Sequence, residues 1–209
     1  MKHLHRLFWI MLLITTAVSA QNPEPLADSK DFILRLKEQS QQNKTIKADF
    51  TEERYMSVLK EPQKSSGIFY YKKDNMLRWE KTAPSSYIFI SADNKVKVRE
   101  SDKVKDVSSV NQVISRIKDL MLTLVNGNFN DSKQFEPSYF QTAQSYIVKL
   151  KPRNKRMSNS FEYIQLSFNK KNMLLDELSF FEKSGDKNVM KFSNQRVNIP
   201  LADTLFTNF

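Results

Sequence analysis

"YYKKDNMLRWEKTAPSSYIFI", Tyr70 to Ile90, is the stretch that decides the fold. It reads as strands joined by short polar turns. A strand with one wet face alternates apolar and polar side chains. Here Tyr70 and Tyr71 are neighbours, as are Met76 and Leu77, and Ile88 and Phe89. Large apolar groups therefore leave both faces of the sheet, and something must cover each of them.

Outward from this stretch the same grammar continues. Ile46, Ala48 and Phe50 alternate with Lys47, Asp49 and Thr51, giving a strand with one buried face. Strands are expected at 66–72, 76–81, 87–91 and 95–100, with the short links "KKDN", "TAPSS" and "ADN" between them. Consecutive strands so closely linked form an antiparallel meander. It resumes at 145–151, 161–168, 174–181 and 189–197, with "KPRNKRMSNS" read as a basic, mobile loop.

Two helices interrupt the strands. Leu26, Phe32, Ile33 and Leu36 fall near helical spacing, which predicts an amphipathic helix from about Ala27 to Gln41. Val110, Val113, Ile114, Ile117, Leu120, Met121 and Leu124 form a longer helical stripe. Ser109 and Gln112 fit a capping box, and Gly127 fits a helix terminator.

Composition narrows the chemistry. "MKHLHR", the apolar run "LFWIMLLITTA" and "VSA" ending at Ala20 have the form of a cleavable secretory signal, residues 1–20. A single domain is then expected over 21–209. Its compartment is outside the cytoplasm. There is no Cys in the chain, and both histidines, His3 and His5, lie in that signal. This excludes a Ser-His-Asp triad, a Cys nucleophile, a His or thiolate zinc site and haem ligation by His. No cofactor and no metal site is expected. Carboxylate-pair and Ser-Lys chemistry are not excluded. Glu52, Glu53 and Glu80 are the candidate carboxylates. Glu52 and Glu53, adjacent on a strand, point to opposite faces and cannot share one site. An enzyme is not expected.

With Lys2 and Arg6 set aside, 31 basic residues stand against 23 acidic ones, a net charge of +8. In an exported protein this points to a solvated basic surface, an acidic partner or anionic head groups rather than to nucleic acid. The apolar excess, including 15 Phe, suits a sheet curved around an apolar interior, either filled by side chains or left for a ligand.

The blocks "IKADFTEER", "GIFYYKKDNMLRWE" and "APSSYIFISADNKVKV", followed by "YIQLSFNKKNMLLDELSFFEKSGDKNVMKFSNQRVN" and "PLADTLF", give the chain a resemblance. In their order and spacing it resembles the periplasmic outer-membrane lipoprotein carrier family, LolA. The resemblance implies a mainly β (α+β) fold: an incomplete antiparallel β-barrel, or half-barrel, with helices covering its concave face. It implies a monomeric periplasmic carrier, not an enzyme. Such a carrier receives acylated lipoproteins from an inner-membrane ATP-driven exporter, holds their acyl chains inside the half-barrel and passes them to an outer-membrane receptor. A paralogous carrier or sensor of another amphiphile, a glycolipid or aryl-lipid, is the alternative on the same fold.

On the residues, the resemblance implies an apolar cavity lined by Phe50, Leu77, Trp79, Phe89, Ile117, Met121 and Leu124, with Arg78 and Glu80 facing outward. It implies a tether between barrel and helical lid at Lys73, where the family usually carries Arg. Lysine keeps the charge and loses the planar five-donor fork.

Overall fold

The computed structural model describes residues 22–73, 75–93, 95–100, 103–106, 122 and 133–209. Among the described residues, twelve strands form one continuous antiparallel sheet that does not close on itself. In chain order they are β1 (Glu24–Pro25), β2 (Thr45–Tyr55), β3 (Gln63–Lys72), β4 (Met76–Ala83), β5 (Tyr87–Ala92) and β6 (Lys95–Glu100). β7 (Lys103–Asp106), β8 (Phe135–Gln141), β9 (Ser145–Pro152), β10 (Phe161–Asn169), β11 (Leu175–Glu182) and β12 (Lys187–Val197) follow. The spatial order is β1-β8-β9-β10-β11-β12-β2-β3-β4-β5-β6-β7, so two meanders join where β12 pairs with β2. The strands expected from periodicity are all present. β7, only four residues long and mostly charged, has no apolar alternation to announce it.

Helix α1 (Lys30–Gln42) lies against the concave face of β8–β10. It starts later than its apolar spacing suggests because the chain is still extended before it. Glu24 and Pro25 pair with β8, Leu26 N–H donates to the Tyr139 carbonyl at 3.0 Å, and Asp28 Oδ1 then accepts Lys30 N–H at 2.9 Å. Phe32 and Leu36 are the helix's fully buried residues. The Phe32 ring sits 4.6 Å from that of Tyr146 and 5.8 Å from that of Phe168. The second helical stripe, 110–124, lies outside the described residues except for Leu122, which is helical and packs on the core.

The segment expected as a mobile loop contains a short helix, α2 (Lys155–Ser160). Asn154 Oδ1 accepts Met157 N–H at 2.8 Å, and Met157 turns into the core. An N-cap with a buried anchor three residues on makes a helical turn from a basic, loop-like composition.

What lies on the convex side accounts for the two apolar faces of the central strands. There Tyr70, Ile88 and Ile90 are buried. The chain from Asn198 onward runs back over β4 and β5 and forms a 3-10 turn at Asp203–Phe206, with Phe206 buried. β3–β5 thus carry buried apolar side chains on both faces. The convex face of β8–β12 is wetter. Lys149 Nζ stands 5.1 Å from both the Phe140 and Tyr163 rings, Tyr163 stacks on Phe181 at 4.3 Å, and Lys187 Nζ reaches the Phe181 and Tyr55 rings at 5.6 and 5.3 Å. Lysine stems shield these aromatic faces while their ammonium groups stay in water.

Candidate functional site on the concave face

The pairing register fixes which residues share the inner face. Phe50 on β2 stands opposite Phe192 on β12 and Gly67 on β3; Trp79 on β4 stands opposite Phe69 and Phe89; Leu77 stands opposite Tyr71. At the centre is an aromatic cluster. Trp79 lies 4.3 Å from the Phe50 ring, 5.6 Å from Phe69 and 6.2 Å from Phe192. Phe50, Phe69, Leu77 and Phe89 are buried, whereas Trp79 and Phe192 keep part of their surface exposed.

Gly67 makes this packing possible. A Cβ there would lie 1.9 Å from the Glu80 carbonyl oxygen and 2.8 Å from Phe50 Cε1, so only glycine admits the ring.

The structure therefore brings Phe50, Leu77, Trp79 and Phe89 to one apolar surface. Ile117, Met121 and Leu124 lie outside the described residues. Lys73 is exposed at the turn after β3, and its backbone N–H donates to the Lys44 carbonyl at 2.7 Å. The helix it would tether also lies outside the described residues. Arg78 and Glu80 face the convex side, where Arg78 is buried beneath the C-terminal residues.

Between the second half of α1 and strands β2, β3 and β12 lies a cavity of about 60 Å³, lined by Leu36, Ile46, Phe69, Phe168, Met173 and Phe192 among others. α1 forms one wall of this cavity. Besides its two buried side chains, α1 is held by Arg35, which donates from Nη2 to the Lys170 carbonyl at 3.1 Å.

One row beyond Phe50 the same face turns polar. Glu52 Oε2 lies 2.9 Å from Lys81 Nζ and accepts from Ser65 Oγ at 2.5 Å, while Glu52 Oε1 accepts from Asn188 Nδ2 at 2.8 Å. Lys81 reaches Glu52 over Gly67, where no side chain intervenes. Burial pushes the Glu52 carboxyl up. Hydrogen bonds from Ser65, Lys81 and Asn188, with the Lys81 charge, outweigh it and hold the group below its ordinary value. Glu53 faces the other way and pairs with Lys64 at 3.3 Å, as adjacent strand positions require.

Sequence reasoning missed Phe69, Phe192 and this polar group. Phe192 joins Phe50 only through the β12–β2 junction, which links distant parts of the chain. The sign available for the polar group was a Glu and a Lys at inward positions of strands otherwise apolar on that side.

Comparison with known proteins places this architecture. An outer-membrane lipoprotein carrier protein of Coxiella burnetii is 27% identical over 146 residues, 69% of this chain and 66% of the relative, so the match spans slightly less than two thirds of that relative's length. The fold is shared with an uncharacterized conserved protein from Thermus thermophilus, at 11% identity and a TM-score of 0.53, over 87% of this chain and 94% of that one. It is shared too with a chain of the Pseudomonas aeruginosa MucA/MucB complex, at 14% identity and a TM-score of 0.51, over 86% of this chain and 60% of that one. The model of one family, outer membrane lipoprotein carrier protein LolA, matches residues 41–208, from the end of α1 through every strand after it to the C-terminal turn, and the chain belongs to that family.

Proposed function

We propose that the protein is a periplasmic carrier of acylated lipoproteins. It takes them from an inner-membrane ATP-driven exporter and delivers them to an outer-membrane receptor, with their acyl chains held against the concave face. The observation that carries this reading is the aromatic cluster of Phe50, Phe69, Trp79 and Phe192 on the inner face of a sheet that stays open. Family membership supports it.

The physical demand is clear. Each CH₂ moved out of water gains ~0.8 kcal/mol, so three long chains carry on the order of 30 kcal/mol. A carrier must offset most of that and still release. A face that is already packed serves this end. Ligand entry then exchanges α1 contacts for acyl contacts, and net affinity is the difference of two large terms. Lys73 at the rim and the helical stripe with Ile117, Met121 and Leu124 belong to the same proposal as tether and lid.

Trp79 supplies the test, because Trp9 is the only other tryptophan. In a Trp9→Phe background, a synthetic diacylated lipopeptide with brominated chains should quench Trp79 emission, and the unbrominated lipopeptide should not. Trp79→Phe should bind the same lipopeptide with little loss, and Trp79→Glu should weaken it more than tenfold. Absence of quenching in folded protein that binds the lipopeptide would remove the acyl chains from this face. Absence of binding altogether would overturn the carrier reading.

A further inference from the structure

Turn apices are ordinarily built from Gly, Pro, Asn, Asp and Ser, each of which suits the backbone there. The link between β2 and β3 departs from this. It carries Met56, Val58 and Leu59, with Tyr55 at its base. Among the described residues five large apolar side chains are exposed, and three of them, Tyr55, Val58 and Leu59, fall within five positions. Val58, at 85%, is the most exposed of the five. Apolar residues scattered singly over a surface need no explanation; a contiguous set does.

The backbone of this link is braced. Leu59 N–H donates to the Met56 carbonyl at 2.9 Å, closing a turn with Ser57 and Val58 at its corners. Ser57 N–H donates to Asp186 Oδ1 at 3.0 Å, which ties the turn to the link between β11 and β12. Val58 and Leu59 are therefore held outward, and folding gains nothing from leaving them in water.

Three features select the surface that receives them. Val and Leu are under-represented among the anchors of protein–protein interfaces, whereas bilayer hydrocarbon favours both. Tyr55 behind them has the amphipathic ring that settles at head-group depth, and Lys187 Nζ stands 5.3 Å from the centre of that ring. The net charge of +8 over residues 21–209 draws the chain to an anionic surface. Over 53–64 and 182–187 five basic residues stand against four acidic ones, so apolar contact rather than local charge decides the depth of entry.

We propose that the turn at Met56–Leu59 is a lipid-contact tip: Val58 and Leu59 enter the outer layer of an anionic bilayer, Tyr55 rests among the head groups, and the protein docks on the membrane surface. β2 runs from Phe50 in the aromatic cluster to Tyr55, five residues or about 17 Å along one strand. Docking by the tip thus brings one end of the concave face to the lipid. This docking is independent of the carrier reading.

The chain has no Cys, so Ser57→Cys gives a single attachment point at the turn for a polarity-sensitive NBD label. Lys171→Cys gives an exposed one in the link before β11, at the other end of that strand. The probes are vesicles of phosphatidylethanolamine with and without phosphatidylglycerol. On vesicles containing phosphatidylglycerol the emission of the label at position 57 should move to shorter wavelength, and that at 171 should not. Sedimentation with the same vesicles gives the affinity. Val58→Ser combined with Leu59→Ser should lower it at least about tenfold, with the melting temperature unchanged. An unmoved label at 57, an equal shift at 171, or equal sedimentation of the double variant overturns the proposal. A shift that appears only with vesicles containing membrane proteins makes the tip a protein dock and overturns it as well. Lipopeptide binding, measured without vesicles, judges the carrier reading separately in every case.

Discussion

Arg78 Nη1 donates to two main-chain carbonyls, those of Leu205 at 3.0 Å and Asn208 at 2.7 Å, while its Nε donates to Glu80 at 2.8 Å. One central strand thus holds the C-terminal residues on the convex face through a single buried guanidinium. Lys72, which pairs with Asp203, and Arg99, whose guanidinium carbon lies 5.8 Å from the Phe209 ring centre, flank it.

Arg78→Ala should cost about 3 kcal/mol, because it leaves Glu80 and two carbonyls without their donor. Arg78→Lys should recover only part, since an ammonium cannot reproduce the fork. Urea unfolding gives the magnitude. Limited proteolysis should show the first new cut C-terminal to Asn198. A variant cut at wild-type sites with unchanged stability would show that Arg78 does not anchor this segment.

Gly67→Ala should destabilise by about 3 kcal/mol, near the upper end for overpacking. Backbone supplies the closest contact, the Glu80 carbonyl, so no side-chain rotation relieves it. Thermal unfolding measures the loss. A second substitution, Phe50→Leu, should relieve the contact with the ring and leave the carbonyl clash in place, so rescue should be partial.

Two groups should shape the pH dependence of stability, in opposite directions. The folded-state pKa of Glu52 lies below its ordinary 4.5, so its contribution is full above that value and is lost as pH falls through the folded pKa. Burial raises Tyr139 from 10.0 to about 12, so its contribution is full below 10.0 and is lost as pH rises toward 12. Melting temperatures measured across pH should fall on both limbs. Glu52→Gln should lessen the fall on the acid limb only, and Tyr139→Phe that on the alkaline limb only, since Glu53 shifts as Glu52 does and Tyr70, Tyr87 and Tyr163 as Tyr139 does.

Asn154→Ala removes the side chain that caps α2, at an expected cost of about 1 kcal/mol. Asn154→Asp, which keeps an acceptor, should cost less. Chemical denaturation resolves the difference. Equal losses for the two would show that the Met157 N–H bond contributes little.

The strands were legible because each carries its own local evidence, an alternating or apolar run ended by Asn, Asp, Ser or Pro. The late start of α1 was not, because it depends on Leu26 bonding to Tyr139, more than a hundred residues away. The helical turn at 155–160 was hidden for a similar reason: its anchor is one methionine in a basic segment. Parity alone put Leu77 and Trp79 on one face of their strand; the resemblance made that face the inner one. That the opposite face is also covered was not legible, since its cover comes from the far end of the chain through Phe206 and Arg78. The Glu52–Lys81 pair escaped notice because it crosses three strands, and only the register places Gly67 between its members.

An open sheet has two free margins, and each is a template on which a second chain could add a strand. Among the described residues one margin is β1, two residues long and ending in Pro25, which has no N–H to offer. The other is β7, four residues with lysines at 103 and 105. Both are too short, and too poor in donors or too charged, to direct growth of the sheet. A strongly apolar sheet runs the hazard of polymerising through its edges, and these short, charged or proline-ended margins set the apolar concave face apart from that hazard.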